Sequence, residues 1–395
     1  MSQSILTVNV GSSSIKTALF HSDDGNALRR IGGASVSGLP DRPHLTVKDA
    51  AGTVTTDRAL AAPAAGRDPQ DAALDPLMDW LDRVTADAPL AAIGHRVVHG
   101  GPDFAEPVRV DDRVLDRLAA FVPLAPLHQP HNLAAIRAFR ARVADVPHIA
   151  CFDTAFHQGK PWRAKTFPLP PAYFARNIRR YGFHGLSYDY IARTLPEVAG
   201  HLPRRTVAAH LGNGASLCAL LDGRSVATSM GLTALDGLPM GTRTGAIDPG
   251  LVLYLIQDEG MSPDAVADLL YHHGGLKGMS GLSNDMTVLR ASDDPQVVRT
   301  LDYYAYRVAQ GIAALAVDLG GLDAVVFTAG IGQNDPGVRA GVARHLAWMG
   351  TELDDAANDA GGPCLHTPDS RVGLWAIATD EAGMIARHTL AQARR

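Results

Sequence analysis

The sequence predicts an α/β protein of two lobes in which a strand hairpin occurs twice. Apolar runs typical of strands alternate along the chain with amphipathic stretches typical of helices. An apolar run, a short polar turn with glycine and a second apolar run occur near the N-terminus and again about two hundred residues later. The chain has 395 residues, which is long for one hydrophobic core and sufficient for two domains.

The first half begins with the first predicted hairpin, whose strands are ILTVNVG and IKTALF. Residues 40–70 are polar, rich in Pro, Gly and Ala, and weakly periodic, which predicts surface structure. The other predicted elements are, in chain order, a helix at DAALDPLMDWLDRV, a strand at LAAIGHRVV that leads into a Gly-Gly turn, helices at DDRVLDRLAAFV and HNLAAIRAFRARV, and a buried strand at HIACF.

The second half follows a loop-rich segment, KPWRAKTFPLPPAYFARNIRRYGFHGLS, and begins with the second hairpin, TVAAHL and ASLCALL. Ser262 is suited to cap a helix that has Pro263 at its first position. The later predicted elements are a long helix at DYYAYRVAQGIAALAVDLG, a strand at DAVVFT that runs into the glycine loop AGIGQND, a helix at DPGVRAGVARHLAWMG, and a strand, acidic turn and terminal helix at VGLWAIATDEAGMIARHTLAQARR.

Composition argues against several classes of partner. The net charge of −5 and the pI of about 6.3 give no general attraction for nucleic acid or an anionic membrane surface. The three cysteines are scattered, which fits neither a disulfide framework nor a metal cluster. No signal-peptide pattern and no run of about 18 apolar residues is found. We therefore expect a cytoplasmic protein.

Three glycine turns are candidate phosphate sites. The stretch GSSSIK lacks the spacing of a nucleotide-binding P-loop and is followed by a strand instead of a helix. Glycine lets the backbone approach an anion closely, and each turn follows an apolar strand. One such turn alone is more simply a tight turn, but three favour phosphate binding. The candidates are Gly11, Ser12, Ser13 and Ser14; Gly212, Asn213, Gly214 and Ser216; and Gly330 and Gly332.

Charged residues near glycines or strand ends form a second group. Loop arginines suit bidentate binding of carboxylate or phosphate, histidines can hold a phosphoryl group, and carboxylates can hold Mg²⁺. The simpler alternatives are a surface salt bridge for each arginine, a structural role for each histidine, and a helix cap or first-turn acid for each carboxylate. The candidates are Arg96, Arg243, His128, His184, Asp153 and Glu381.

The motifs in combination resemble those of the acetate kinase family, in order from Asn9 to Glu381. They are VNVGSSSIK, GHRVVHGG, PLHQPHN, FDTAFH, RRYGFHGLS, AHLGNGAS, TSMGLTALDGLPMGTRTGAIDPG, GLSNDM and FTAGIGQN. The resemblance implies two duplicated ribonuclease H-like (actin-like ATPase) domains with a nucleotide cleft between them, ATP/ADP as co-substrate, Mg²⁺ (or Mn²⁺) and a homodimer. It implies an N-terminal lobe with the acyl- and phosphate-side hairpin at 1–150 plus 382–395, and a nucleotide-binding lobe at 151–381.

The resemblance also implies roles for individual residues. The catalytic set is Asp153, Arg96, Arg243, His184 and His128. The nucleotide and phosphate set is Asn9, Ser12, Ser14, Lys16, His210, Gly212, Asn213, Gly214, Asp285, Gly330, Ile331 and Gly332. The acyl pocket is Arg96, Val98, Leu127, Phe183 and Ala234, and the metal residues are Asn9 and Glu381.

The implied reaction is reversible in-line transfer of a phosphoryl group from ATP to acetate, in which cations offset the repulsion between two anions. The sequence departs from the usual family pattern at Thr287 and Gln333, which affects nucleotide choice, and at Ala234, which enlarges the acyl pocket. We therefore expect activity with propionate. The alternatives are a propionate or butyrate kinase on the same scaffold and, from another class, a non-catalytic nucleotide switch like actin or an Hsp70 ATPase domain.

Overall fold

The structure, a computed structural model, describes residues 3–11, 13–23, 27–61, 63, 66–86, 88–126 and 128–394. The chain divides into two compact units. Unit 1 comprises Met1–Phe156 and Asp380–Arg395, and unit 2 comprises His157–Thr379. None of the helices in the described ranges is long and apolar enough to cross a membrane.

The described residues form both strands and helices. The strands are β1 Gln3–Val10, β2 Ser14–Ser22, β3 Arg29–Ser37, β4 His44–Asp49, β5 Val54–Ala59, β6 Leu90–Val97, β7 Val108–Arg109, β8 His148–Phe152, β9 Arg205–Leu211, β10 Ala215–Leu221, β11 Arg224–Thr228, β12 Ala324–Thr328 and β13 Gly373–Ala376. The helices are α1 Pro69–Val84, α2 Asp112–Ala119, α3 Gln129–Arg142, α4 Trp162–Lys165, α5 Pro171–Ala175, α6 Gly185–Ala199, α7 Pro249–Gln257, α8 Pro263–His272, α9 Gly275–Ser280, α10 Met286–Arg290, α11 Pro295–Leu319, α12 Ala329–Asn334, α13 Pro336–Leu346, α14 Asp355–Ala360 and α15 Glu381–Ala393.

The two sheets share one topology, which confirms the predicted duplication. Unit 1 has the strand order β5-β4-β3-β2-β1-β6-β8-β7 and unit 2 the order β11-β10-β9-β12-β13. In unit 1, β3, β2 and β1 are antiparallel neighbours, and β6 and then β8 continue parallel to β1. In unit 2, β11, β10 and β9 are antiparallel, and β12 and β13 continue parallel to β9. The predicted α/β class is confirmed.

Both predicted hairpins are confirmed. The first closes at the pair Val10 and Ile15, and the second closes at the pair Leu211 and Ala215. Their strands are almost entirely buried in the middle of each sheet, which is why their sequences are continuous apolar runs.

The helix α15 closes unit 1 although it comes from the far end of the chain. Ala386 and Leu390 of this helix lie in one core cluster with Ile5, Ala18 and Ala92 of the sheet. Gly94 of β6 allows the close approach, because a Cβ there would collide with Ile385 and Thr389.

The unit boundaries differ from the predicted lobe boundaries at 150 and 381. The strand β8 pairs in parallel with β6, so the residues that follow it stay in unit 1 up to Phe156. The cap residue of α15 is Asp380, so the second boundary falls just before that helix. Asp153 and Glu381 therefore both belong to unit 1, whereas the prediction assigned them to the second lobe.

One local prediction needs correction, and several are confirmed. The polar segment 40–70 is predicted to be surface structure, and it contains the strands β4 and β5, which extend the sheet at its edge. The glycine stretch after β12 is the short helix α12 and not a loop, and it begins at Ala329 with a φ of 64°. The helices α1, α2, α3, α8, α11, α13 and α15 lie where they are predicted, and Ser262 caps α8 by accepting from the Ala265 amide.

Candidate active site

In unit 1, three predicted site residues meet at one edge of the sheet. Asn9, Arg96 and Asp153 lie at or just after the C-terminal ends of β1, β6 and β8, which are adjacent parallel strands. The carboxyl ends of parallel strands meet at one edge, where α/β proteins place their sites. The parallel pairing of β1, β6 and β8 thus brings together residues up to 144 positions apart, counting from 9 to 153.

Arg96 is the centre of this set. Its Nε lies 3.0 Å from Asp153 Oδ1 and its Nη2 lies 2.6 Å from Asp153 Oδ2, which is a bidentate ion pair. Its Nη1 donates to Asn9 Oδ1 at 3.1 Å. Burial alone would lower the pKa of Arg96, but the negative charges of Asp153 and Glu381 raise it above its usual value. The guanidinium is therefore permanently charged and fixed in orientation.

Oxygen ligands suited to a hard cation surround this ion pair. Asn9 offers an amide oxygen, Asp153 is 1% exposed, and Glu381 is the first residue of α15. Within the described ranges, no group of three or more His, Cys, Asp or Glu side chains could hold a metal. Mg²⁺ that arrives with a nucleotide needs only one or two protein carboxylates, because phosphate and water complete its octahedron. The donor set fits such a shared ion.

Two buried amides in the motif PLHQPHN escaped sequence reasoning, which selected His128 alone. His128 is the N-cap residue of α3 and is half-buried. Gln129 and Asn132, 0% and 2% exposed, face the ends of the strands. Asn132 accepts from the Val98 amide at 3.0 Å and donates to the Val10 carbonyl at 2.9 Å, which joins the ends of β6 and β1. A polar residue on the otherwise apolar face of α3 was the available signal.

In unit 2, two histidines and an arginine lie beside the second glycine turn. The rings of His184 and His210 are stacked, with centroids 4.1 Å apart and planes 12° apart. His184 has a φ of 57°, a left-handed conformation that non-glycine residues adopt mainly at constrained, often functional, positions. A Cβ added at Gly214 would lie 3.5 Å from His184 Nε2 and 3.8 Å from Arg243 Nη1. Both nitrogens thus border the space beside this glycine.

Arg243 differs from Arg96 in that no carboxylate of the described residues forms an ion pair with it. Its Nη1 donates to the Ala234 carbonyl at 3.1 Å and lies 3.7 Å from Met240 Sδ. None of the ion pairs found among the described residues involves Arg243. Burial lowers the pKa of Arg243, which reflects the cost of removing its charge from water. A half-buried cation without a counter-ion is suited to bind an anionic ligand.

A pocket of about 660 Å³ in unit 2 has the size of a nucleotide site. It is lined by Gly212, Asn213, Asn284, Asp285, Met286, Thr287, Arg290, Gly330, Ile331, Asn334, Asp335, Pro336 and Gly337. Five predicted nucleotide residues, Gly212, Asn213, Asp285, Gly330 and Ile331, are among them. His210, Gly214 and Gly332 are not among the lining residues, and the Gly332 carbonyl instead accepts from the buried Arg339.

The pocket wall contains an ion pair that sequence reasoning missed. Arg290 donates to both carboxylate oxygens of Asp335, at 3.0 and 2.9 Å. Thr287, one turn earlier on α10, also lines the pocket. A Cβ at Gly337 would lie 2.7 Å from Arg290 Cζ, so the glycine leaves space for the guanidinium plane. This wall of the pocket therefore contains an arginine at position 290, although position 287 is a threonine.

A model described as the acetokinase family matches residues 4–387. The chain belongs to the acetokinase family. A relative from Nitrobacter hamburgensis, named acetate kinase, is 49% identical over 389 residues, covering 98% of this chain and 95% of the relative. Another from Rhizobium meliloti, also named acetate kinase, is 49% identical over 389 residues and covers 98% of both chains.

Solved structures from the family have the same fold. A propionate kinase from Francisella tularensis superposes with a TM-score of 0.91 at 32% identity, covering 98% of this chain and 99% of that one. An acetate kinase from Porphyromonas gingivalis superposes with a TM-score of 0.85 at 29% identity, covering 99% of both chains. These matches confirm the two-domain fold that the resemblance implies.

The remaining predicted residues of this acetokinase-family chain stay predictions. Lys16 is opposite Asn9 in the register of β1 and β2, so the two side chains lie on one face of the sheet, and Ser14 is the first residue of β2. Ser12 and Leu127 lie outside the described residues. The predicted acyl pocket draws on Val98 in unit 1 and on Phe183 and Ala234 in unit 2.

Gly214→Ala tests whether the space beside His184 and Arg243 must stay open. The Cβ would make ordinary contacts and Gly214 is not among the positive-φ glycines, so we expect the free energy of unfolding to change by less than about 1 kcal/mol. We expect kcat/KM for phosphoryl transfer to fall by about 10- to 100-fold, because the methyl group occupies the space where a phosphoryl oxygen would lie. Gly159→Ala, at an exposed glycine with open space around it, is the control. Unchanged kinetics in Gly214→Ala would remove this turn from the site.

Proposed function

We propose that this chain catalyses reversible phosphoryl transfer between ATP and acetate, forming ADP and acetyl phosphate directly. The observation that carries the proposal is the half-buried Arg243, which has no carboxylate partner within the described ranges and borders the Gly214 turn together with His184 Nε2. Such a pair of groups suits the equatorial oxygens of a phosphoryl group in transfer. The names of the 49% identical relatives support the choice of acetate.

The chemistry matches the residues. Acetate is already a nucleophile at neutral pH, so the barrier is repulsion between its carboxylate and the γ-phosphate, and no strong base is required. Arg96, fixed by Asp153 and Asn9, supplies one cation, and Arg243 supplies another. The reaction requires the unit 1 set and the unit 2 set to act on the same phosphoryl group, and the proposal assigns the nucleotide to the pocket near Asp285.

Asn9, Asp153 and Glu381 would hold Mg²⁺ together with the nucleotide phosphates. When bound, the ion neutralises phosphate charge and orients the transferred group. Two groups of this chain act without the ion: Asp153 holds the Arg96 guanidinium, and Gln129 and Asn132 hold the backbone around Val98.

A hydroxamate assay for acyl phosphate tests the proposal. The purified chain, with ATP and Mg²⁺, is given acetate, propionate or butyrate in parallel, and we expect product with acetate. Product with butyrate alone would reassign the acyl specificity. Absence of product with all three, in a chain that binds ATP, would favour a nucleotide switch over a kinase. Inversion at a chiral γ-phosphate would support direct transfer, whereas net retention would contradict it.

Ala234 gives a prediction about acyl selectivity, and the 32% identical propionate kinase structure makes propionate the second candidate substrate. One methylene in an apolar pocket changes discrimination by about 1–3 kcal/mol. We expect kcat/KM for propionate to lie within about 100-fold of that for acetate, and Ala234→Pro to widen the gap. Proline keeps the carbonyl that accepts from Arg243, so this contact can be retained in the variant. A thousandfold preference for acetate in the unaltered chain would contradict our interpretation of Ala234.

We also propose a homodimer and a cytoplasmic location. The helix α7, Pro249–Gln257, has no buried residue in the single chain although its sequence is PGLVLYLIQ, and Leu251, Leu253 and Tyr254 are 44%, 55% and 49% exposed. Such an apolar helix face is typical of an interface, and we assign it to a second copy of this chain. Leu253→Glu is expected to give monomers by light scattering, whereas Val317→Glu, at an 82% exposed residue on α11, is expected to leave the dimer intact. Monomers in the unaltered chain would contradict the proposal.

Three free cysteines and the use of ATP support a reducing, cytoplasmic environment.

A further inference from the structure

Behind His184 in unit 2 lies a chain of two buried hydroxyl groups. Ser216 Oγ is 2.8 Å from His184 Nδ1, and Tyr188 OH is 2.6 Å from Ser216 Oγ. Both Ser216 and Tyr188 are 0% exposed. We infer that Tyr188 and Ser216 are positioning residues that fix the His184 proton on Nε2, so that this nitrogen presents an N–H donor to the transferring phosphoryl group. The inference rests on the proposed function for the identity of that group.

The direction of the chain follows from the surroundings of Tyr188. Burial raises the pKa of the phenol well above its usual value, so the oxygen keeps its proton. Among the described residues, Ser216 Oγ is the one hydrogen-bond partner of the Tyr188 hydroxyl. A buried hydroxyl proton needs an acceptor, so the phenol donates its proton to Ser216 Oγ.

The hydrogen bond from Tyr188 determines that Ser216 donates to His184. Its oxygen receives the Tyr188 proton, and its hydroxyl hydrogen is then directed at His184 Nδ1. A ring nitrogen that accepts a hydrogen bond carries no proton, so the neutral imidazole holds its proton on Nε2. If His184 Nδ1 carried the proton instead, both Tyr188 and His184 would donate to Ser216 Oγ. Among the described residues, no further acceptor lies within hydrogen-bond distance of the Ser216 hydroxyl, so its hydrogen would have no acceptor. A buried hydroxyl hydrogen without an acceptor is unfavourable.

The tautomer matters for binding because of where His184 Nε2 lies. This nitrogen borders the space beside Gly214, on the same side as the Arg243 guanidinium. An N–H there attracts a phosphoryl oxygen, whereas a bare lone pair would repel it. The ring is also held by its stacking on His210, whose Nδ1 lies 2.9 Å from Ser187 Oγ. Orientation and proton position are thus set by separate contacts.

The tautomer can be read directly by nitrogen NMR of isotope-labelled histidine side chains, with the His184 signals identified from their loss in His184→Gln. In the unaltered chain we expect the Nε2–H form. Tyr188→Phe removes only the phenol oxygen and frees Ser216 to reverse, so we expect the signals to move toward the Nδ1–H form. Ser216→Ala should move them in the same direction, and if that variant does not fold, Tyr188→Phe alone decides.

Kinetics provide the second readout. In Tyr188→Phe we expect kcat to fall by about 10- to 100-fold while KM for ATP changes little, because the bound nucleotide is retained but the donor is misdirected. Tyr304→Phe is the matched control, because Tyr304 is also 0% exposed in the same unit and its hydroxyl has no hydrogen-bond partner in the described part of the chain. It should change neither the His184 signals nor kcat.

An Nδ1–H form in the unaltered chain, or unchanged His184 signals in Tyr188→Phe, would overturn the inference, and so would an equal loss of kcat in Tyr304→Phe. The proposed function fails separately, if the unaltered chain makes no acyl phosphate, since the NMR measurement needs no turnover.

Discussion

Replacing Arg243 with methionine is expected to abolish most activity without destabilising the protein. Arginines that act on a transferring phosphoryl group are worth about 10³- to 10⁵-fold in rate, so we expect kcat/KM to fall by an amount in that range. The folded state should not suffer, because the guanidinium has no carboxylate partner in the described ranges and burial already lowers its pKa. Methionine fills similar volume without a charge, so we expect the free energy of unfolding to rise or to change by less than about 1 kcal/mol.

Urea denaturation and the hydroxamate assay, applied to the same preparations, measure the two effects. Arg344→Met is the control, because Arg344 is 69% exposed and pairs with Asp302 at the surface, so both activity and stability should stay near the unaltered values. A loss of more than about 2 kcal/mol in Arg243→Met would mean that this arginine stabilises the fold, and retained activity would remove it from phosphoryl transfer.

The duplicated hairpins could be predicted because their signal is local. Each strand beside the turns is a buried apolar run, and the turn lies between them in sequence. The strand β5 gave no such signal, since only one of its residues, Thr56, is even half-buried. It forms by pairing its backbone with β4 from Lys48 to His44, and an edge strand of this kind needs no burial pattern.

The site was predictable as residue types at strand ends but not as a set of pairs. Asn9, Arg96 and Asp153 were each selected from their positions at strand ends. The sequence did not indicate that Asp153 would form a bidentate ion pair with the Arg96 guanidinium. Likewise the Asn132 amide bonds Val10, which is 122 positions away. Such partners depend on how helices pack on the sheet, which single-residue patterns do not encode. Arg243 was selected from its glycine-rich loop, but the sequence did not show that it lacks a carboxylate partner among the described residues, and its role stays a prediction.

Arg96→Met is expected to destabilise unit 1, in contrast to Arg243→Met. Asp153 is 1% exposed, and its carboxylate is bound by two nitrogens of Arg96. Removing one member of a buried ion pair leaves the other charge uncompensated, which costs about 3–5 kcal/mol. We expect this loss in the free energy of unfolding by urea denaturation, together with a loss of kcat/KM of about 10³-fold or more.

The double variant Arg96→Met/Asp153→Asn separates the ion pair from the site. Once Asp153 is neutral, its side chain no longer carries a buried charge deprived of Arg96, so the double variant should be more stable than Arg96→Met alone, although it stays inactive. If the loss of unfolding free energy in the double variant equalled the sum of the losses in Arg96→Met and Asp153→Asn, the interaction between the two side chains would contribute nothing to stability. Recovered stability without recovered activity would mean that, of the two arginines in the proposed site, Arg96 is needed for stability through its ion pair, whereas Arg243 is not needed for stability. The charge of Arg96 is balanced by Asp153 of its own chain, whereas we propose that the charge of Arg243 is balanced by the substrate.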